Sequence, residues 1–253
     1  MAASASQMKK IEGSTSQKFC TEYNVTLVLI TPTLANLLEP ATFPTLRTLI
    51  FGGEALRDDI VQKWSAVEGL SLSQSYGPAE TGPCITGNVA DRPEILGYAL
   101  DYSICMLINS NNHDKLVPLG AVGKQVVGGP SLLREYIYNA DRTDAAVIEN
   151  PTWSFSLDTP MRRFYKTGDL LRYSIDTLDG RVEYVGRTDD QVKYHGQRIE
   201  LKEIEHHLSS LPGIVSCMVT LVKKGHFKDR LVAVTQCSGR SNPHGAGVAL
   251  YTT

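Results

Sequence analysis

The chain has 253 residues, 42% of them hydrophobic and 21% charged, with a formal net charge of −2. This composition suits a globular protein of one large or two small domains, and the charge gives no basic footprint for nucleic acid or an anionic membrane. The five cysteines (Cys20, Cys84, Cys105, Cys217, Cys237) have no CxxC spacing and no His/Cys cluster, which argues against a disulfide framework or a zinc site. With no apolar N-terminal core and no transmembrane-length apolar run, the expectation is a cytoplasmic protein with reduced thiols.

Residues 1–19 are rich in Ser, Ala, Lys and Gln without periodicity, and are expected to form a disordered tail. Val25 to Ile30 is a β-branched apolar run that suits a buried strand, and Thr31-Pro32 opens a helix over Thr33 to Leu38. Leu46 to Phe51 reads as a second strand stopped by Gly52-Gly53, Arg57 to Val67 as an amphipathic helix and Leu70 to Ser75 as a third strand. Strand and helix alternating in this way predict a parallel sheet, with ligands gathering at the carboxyl ends of its strands. Gly52-Gly53-Glu54 and Tyr76-Gly77-Pro78 lie at such ends. Past residue 95 the runs shorten, and antiparallel strands are expected over Asp101 to Ile108, Lys124 to Val127, Leu170 to Ser174 and Arg181 to Val185. Asp179-Gly180 is a hairpin signal between the last two. Gln191 to Tyr194, a helix from Leu201 to Leu211, and strands at Ile214 to Val222 and Arg230 to Thr235 predict a small α+β unit. The Gly, Ser, Asn and Pro-rich 238–253 predict an irregular tail.

Two motifs carry chemistry. In Ser75-Tyr76-Gly77-Pro78-Ala79-Glu80-Thr81-Gly82, an aromatic ring at a strand end, a rigid turn and a nearby carboxylate can stack a base and support a metal-bound phosphate. In Tyr165-Lys166-Thr167-Gly168-Asp169-Leu170, a carboxylate with two acceptor oxygens can take both hydroxyls of a ribose. Gly186-Arg187-Thr188-Asp189 then separates the two textures, where a hinge would sit.

Together these segments resemble the adenylate-forming enzymes, most closely the adenylation domains of nonribosomal peptide synthetases. The first is similar to the family's Asn-x-Tyr-Gly-Pro-Thr-Glu, with Gln74 for its Asn and Ala79 for its Thr; the second is a full match. The resemblance implies an α/β fold: a partial acetyl-CoA synthetase-like core with mixed parallel and antiparallel sheets, then a small α+β lid. It implies that Glu80, Asp169 and Arg187 are catalytic, and that ATP is held by Gly53, Glu54, Tyr76, Gly77, Glu80, Thr81, Asp169 and Arg187. In that scheme Tyr76 stacks on adenine, Asp169 clamps the ribose and Glu80 supports Mg2+. Asp189 becomes the hinge, and Lys193, Gly196 and Arg198 belong to the lid loop. By offset, Leu29, Ile50, Gly52, Ser75, Pro83 and Cys84 line a small, mostly apolar side-chain pocket.

The implied activity is ATP-dependent adenylation of an amino acid or other carboxylic acid in secondary metabolism. The product passes to phosphopantetheine on a separate carrier domain. The resemblance covers roughly residues 20–237 and only the second half of the family pattern, without its phosphate loop or terminal lysine motif. We therefore expect a piece truncated at both ends, divided as 1–19 tail, 20–186 C-terminal half of the core, 187–237 partial lid and 238–253 tail. Reduced or absent activity alone follows. The alternatives are a catalytically dead remnant, acting as a binding module or without function, and an acyl-CoA ligase-like enzyme; the Gln-Val-Lys and Arg-Ile-Glu-Leu wording favours peptide synthetases over the latter.

Overall fold

The computed structural model describes residues 17–89, 92–176, 179–189, 191–194, 197–222, 225–228 and 230–237. The tail expected at 238–253 and nearly all of that at 1–19 lie outside these residues. Residues 17–22 are helical, so the helix begins inside the stretch read as a tail. Tyr23 N donates to Phe19 O at 3.0 Å, and Cys20 is buried in the first hydrophobic cluster. Anchoring by one buried side chain escapes a periodicity argument.

The parallel sheet forms as its apolar runs dictate. Strands β1 (Leu27–Ile30), β2 (Thr48–Gly52) and β3 (Ser71–Tyr76) pair in parallel, with helices α1 (Pro32–Leu37) and α2 (Asp58–Ser65) as the crossovers. Thr31 caps α1, its hydroxyl accepting from Leu34 N at 3.3 Å, with Pro32 in the first turn where its missing N–H costs nothing. Val28, Ile30, Leu49, Phe51 and Leu72 meet Ala35, Leu38, Ile60 and Trp64 in one cluster. The Trp64 indole, 1% exposed, donates to Ala35 O at 3.2 Å, so this large ring is buried with its polar handle satisfied.

Beyond β3 the sheet continues antiparallel through β4 (Ile85–Asn88), β5 (Ile95–Ala99), β6 (Ile104–Asn109), β7 (Asn112–Leu116), β8 (Gly123–Gly128), β9 (Val147–Glu149), β10 (Arg163–Tyr173) and β11 (Val182–Arg187). Its spatial order is β1-β2-β3-β4-β5-β11-β10-β8-β6-β7, with β9 also pairing β10. The short strands β4, β5, β7 and β9, and helix α3 (Ala140–Ala146), have no counterpart in the expectations. The β7 residues are all exposed, so they carry no apolar alternation to read.

One expectation is corrected at a functional position. The strand expected from Leu170 begins instead at Arg163, so Gly168-Asp169 lies inside β10. The register against β8 shifts between Lys166 and Leu170, and Gly168 has φ 78°. A glycine that looks like a strand breaker is here the residue that admits a bulge, and the bulge aims the next side chain.

The chain divides into two compact units between Thr188 and Asp189. The first extends past the expected boundary at 186, because Arg187 pairs with Asp169 across β10 and β11 and Thr188 N donates to Gly168 O at 2.9 Å. In the second unit β12 (Gln191–Tyr194) and β13 (Gln197–Glu200) form one hairpin, and β14 (Ile214–Leu221) and β15 (Leu231–Cys237) another. Helix α4 (Leu201–Ser209) packs Leu201, Ile204 and Leu208 against Val219 and Ala233. The Glu205 carboxylate accepts from Val219 N at 2.7 Å, tying helix to strand. None of the described helices is long and apolar enough to cross a membrane.

Candidate nucleotide site

The site is built where β3, β8, β10 and β11 bring polar side chains into an otherwise apolar cluster. Tyr76 ends β3 with its ring buried among Ile85, Leu96, Leu107 and Leu171. Its phenol donates to Asp169 Oδ2 and lies 2.7 Å from the side-chain amide of Gln125 on β8. A phenol has one proton, and the carboxylate is the stronger acceptor. The amide of Gln125 turned to present Nε2 to the phenol oxygen satisfies both groups, because that nitrogen otherwise has no partner. Burial, and then the Asp169 charge, push the Tyr76 phenol well above its usual pKa of 10.0, so it remains a donor at neutral pH.

Asp169 is 5% exposed, and a carboxylate so buried needs a charge partner. Arg187 Nη1 supplies it, 2.7 Å from Oδ1, and lies 3.2 Å from Thr167 O. Thr167 braces the bulge, its hydroxyl donating to Gln125 O at 3.2 Å and accepting from Asp169 N at 3.0 Å. Residues from four strands thus fix one carboxylate. A carboxylate offers about four acceptor positions, and Tyr76 and Arg187 take one on each oxygen. One position on each oxygen is left, which matches the paired hydroxyls of a ribose.

The turn between β3 and β4 carries Gly77, Glu80 and Thr81. It closes by Cys84 N on Tyr76 O at 2.9 Å. A Cβ on Gly77 would run into the backbone carbonyl of Gly82, so this crossing requires glycine. Glu80 Oε1 accepts from Tyr136 OH at 2.8 Å, and that phenol lies 3.3 Å from Tyr165 OH. Thr81 is buried, with its hydroxyl 3.0 Å from Gly82 O, so it serves the turn itself. Glu54, one residue past Gly53 (φ 82°), turns to the start of α1, where its Oε2 accepts from Thr33 N at 3.1 Å and Thr33 Oγ1 at 2.6 Å. Its bonds reach neither Glu80 nor Asp169, although Glu54 Oε1 is buried without a partner among the described residues.

Of the expected pocket residues, Leu29, Ile50, Gly52 and Ser75 share one face of the parallel sheet, since Leu29 pairs with Ile50 and Gly52 with Ser75. Leu29 is 55% exposed there. Cys84 differs: it is fully buried in the cluster around Tyr76, and Cys105 Sγ donates to its carbonyl at 3.7 Å. Its thiol therefore belongs to the core and does not line an open pocket. An apolar cavity of about 470 Å³ lined by residues including Phe19, Cys20, Leu34 and Phe43 includes none of the six.

At the unit boundary, Asp189 Oδ1 accepts from Gln191 N at 3.3 Å, an Asx-type turn into β12. Lys193 lies on β12 and Arg198 on β13, while Gly196 is outside the described residues. No cluster of three or more metal-ligating side chains occurs among the described residues, so a cation here would rely on Glu80 and on ligand oxygens. The motifs contain Tyr165 and Thr167 without giving them a role, and they do not include Gln125 or Tyr136. Tyr165, Thr167 and Asp169 are buried at alternate positions of β10, a signal present in the sequence, whereas a lone Gln in an apolar strand was the only clue to Gln125.

The profile of the family described as AMP-binding enzyme matches residues 7–137. The nonribosomal peptide synthetase-like enzyme fsqF of Aspergillus fumigatus is 68% identical over 233 residues, covering 92% of this chain and 16% of that protein. Nonribosomal peptide synthetase nlsA of Emericella nidulans is 43% identical over 218 residues, covering 83% of this chain and 4% of that protein. Among solved structures, holo-PA1221, a synthetase protein containing adenylation and PCP domains bound to a vinylsulfonamide inhibitor, superposes with a TM-score of 0.72 at 26% identity. That match covers 90% of this chain and 40% of that one. The chain therefore spans only a small share of the curated relatives it matches. It belongs to the AMP-binding enzyme family, as an adenylation segment of the nonribosomal peptide synthetase type.

Proposed function

We propose that this segment binds ATP and takes part in adenylating an amino acid or related carboxylic acid, with AMP held at the Tyr76–Asp169–Arg187 cluster. The observation that carries the reading is the Asp169 carboxylate, fixed by Tyr76 and Arg187 with an acceptor position left on each oxygen. Asp169 takes the ribose hydroxyls, and Tyr76, its ring buried in the core where it offers no open face to stack on adenine, serves by orienting that carboxylate. Arg187 fixes one oxygen of Asp169 and adds positive charge toward the phosphates. The substrate carboxylate attacks the α-phosphorus, the bond to the β-phosphate breaks, and pyrophosphate leaves with the electron pair.

Glu80 is the residue that fits a magnesium ion, because a hard cation is commonly held by one or two carboxylates plus phosphate oxygens and waters. Such an ion supplies neutralisation of the phosphate charge. The partly exposed face bearing Leu29, Ile50, Gly52 and Ser75 is where the substrate side chain lies in this reading, and Pro83 borders the same turn. Asp189 is the hinge of the second unit, and Lys193 and Arg198, on β12 and β13, belong to its lid. The acyl acceptor is phosphopantetheine on a carrier domain; the pairing of adenylation and PCP domains in the PA1221 protein supports that partner.

Amino-acid-dependent ATP–pyrophosphate exchange tests this reading. Exchange that is abolished by Asp169→Ala supports it. A folded protein that exchanges with no amino acid, while still binding AMP, identifies a nucleotide-binding remnant.

A further inference from the structure

The segment between β8 and α3 reaches back over the turn that carries Glu80. Leu133 N donates to Glu80 O at 2.7 Å and Ser131 Oγ to Thr81 O at 2.6 Å, so it is stapled to two successive carbonyls of the turn. Arg163 on β10 holds it from the other side, Nη1 on Leu133 O and Nη2 on Arg134 O, each at 2.6 Å. These four hydrogen bonds fix the segment as a strap.

Tyr136 follows on this strap with both main-chain groups engaged. Its N–H donates to Thr143 Oγ1 at 2.9 Å, and its carbonyl accepts from Asn139 N at 3.1 Å. Asn139 in turn caps α3 through Arg142 N at 3.0 Å, which places the Arg142 guanidinium 4.1 Å over the Tyr136 ring. The phenol then reaches Glu80 Oε1 at 2.8 Å and sits 3.3 Å from Tyr165 OH. A backbone pinned this thoroughly serves to aim one side chain. A glutamate loses more rotamer freedom on ordering than most residues, and a fixed donor meets that loss before any ligand arrives.

We propose that Tyr136, braced by Tyr165 and Arg142, is a positioning residue that holds the Glu80 carboxylate ready for a divalent cation bound with nucleotide. This rests on the reading of Glu80 as the cation-side carboxylate.

The test compares binding of MnATP, read from the Mn2+ electron paramagnetic resonance signal, with binding of metal-free AMP, read by calorimetry. Tyr136→Phe is expected to weaken MnATP about 10- to 150-fold, the worth of one hydrogen bond to a charged group, and to leave AMP within about twofold. Tyr165→Phe, which keeps the ring, should give a smaller loss with the same selectivity, and serves if Tyr136→Phe does not fold. Adding Tyr136→Phe to Glu80→Gln should cost nothing further, because the two act through one contact. Unchanged MnATP binding in both tyrosine variants overturns the inference alone. Equal weakening of AMP and MnATP, or additive losses, assigns Tyr136 a structural role and also overturns it. MnATP binding that is indifferent to Glu80→Gln overturns the reading of Glu80 together with the inference.

Discussion

The buried phenol of Tyr76 donates to Asp169 Oδ2 across 93 residues of sequence, while Arg187 bonds the other oxygen of the same carboxylate at 2.7 Å. Arg187 and Asp169 are both largely buried, so removing one partner strands the other charge. Arg187→Met should cost about 3–5 kcal/mol in urea unfolding. Arg187→Met combined with Asp169→Asn should cost less than the sum of the two single changes, because the second removes the charge that the first leaves unpaired. Additive costs would show that the two groups are not coupled.

Gly168 owes its place to conformation. At φ 78° an alanine is strained, and the strain falls on the bulge that aims Asp169. Gly180 offers a control, with φ 89° and open space around its Cβ direction in the turn before β11. Both glycine-to-alanine changes should cost about 1–2 kcal/mol of stability. Only Gly168→Ala should also weaken AMP binding, by calorimetry; equal AMP affinity in the two variants would remove the bulge from the account.

Glu183 predicts the acid limb of stability. Burial alone would favour its neutral form, but Arg172 Nε at 2.7 Å and Arg92 Nη2 at 3.4 Å outweigh that and hold its pKa below the ordinary 4.5. A group with a depressed folded pKa stabilises above its unfolded pKa, and that contribution is lost as pH falls through the folded value. Glu183→Gln should therefore cost about 1–3 kcal/mol at neutral pH. The difference from the parent should shrink below pH 4.5. Urea midpoints measured at neutral pH and at about pH 3 check this; an undiminished difference at low pH would contradict it.

The legible parts of this chain were those in which local pattern and tertiary role coincide. The runs Val25 to Ile30, Leu46 to Phe51 and Leu70 to Ser75 became the parallel strands because they bury an apolar face under α1 and α2. Tyr76, Asp169 and Arg187 were readable as motif residues, and they do meet at one carboxylate. The position of Asp169 within its strand was not readable, because glycine signals a break and a bulge by the same letter. Gln74 looked like a departure from a motif, yet its side chain donates to the carbonyls of Ile95 and, at 3.2 Å, Pro93, joining β3 to β5. Tyr136 was invisible because its role depends on a strap whose anchors (Leu133, Ser131 and Arg163) become neighbours of Glu80 only after folding.

The central claim is that Asp169 receives the ribose hydroxyls of AMP. Calorimetric titration of the protein and of Asp169→Ala with AMP and with 2′,3′-dideoxy-AMP tests it directly. The parent should bind AMP at least about 10-fold more tightly than the dideoxy analogue, the worth of hydrogen bonds to a buried carboxylate. In Asp169→Ala the two ligands should bind alike. Equal affinity of the parent for AMP and its dideoxy analogue would contradict the assignment.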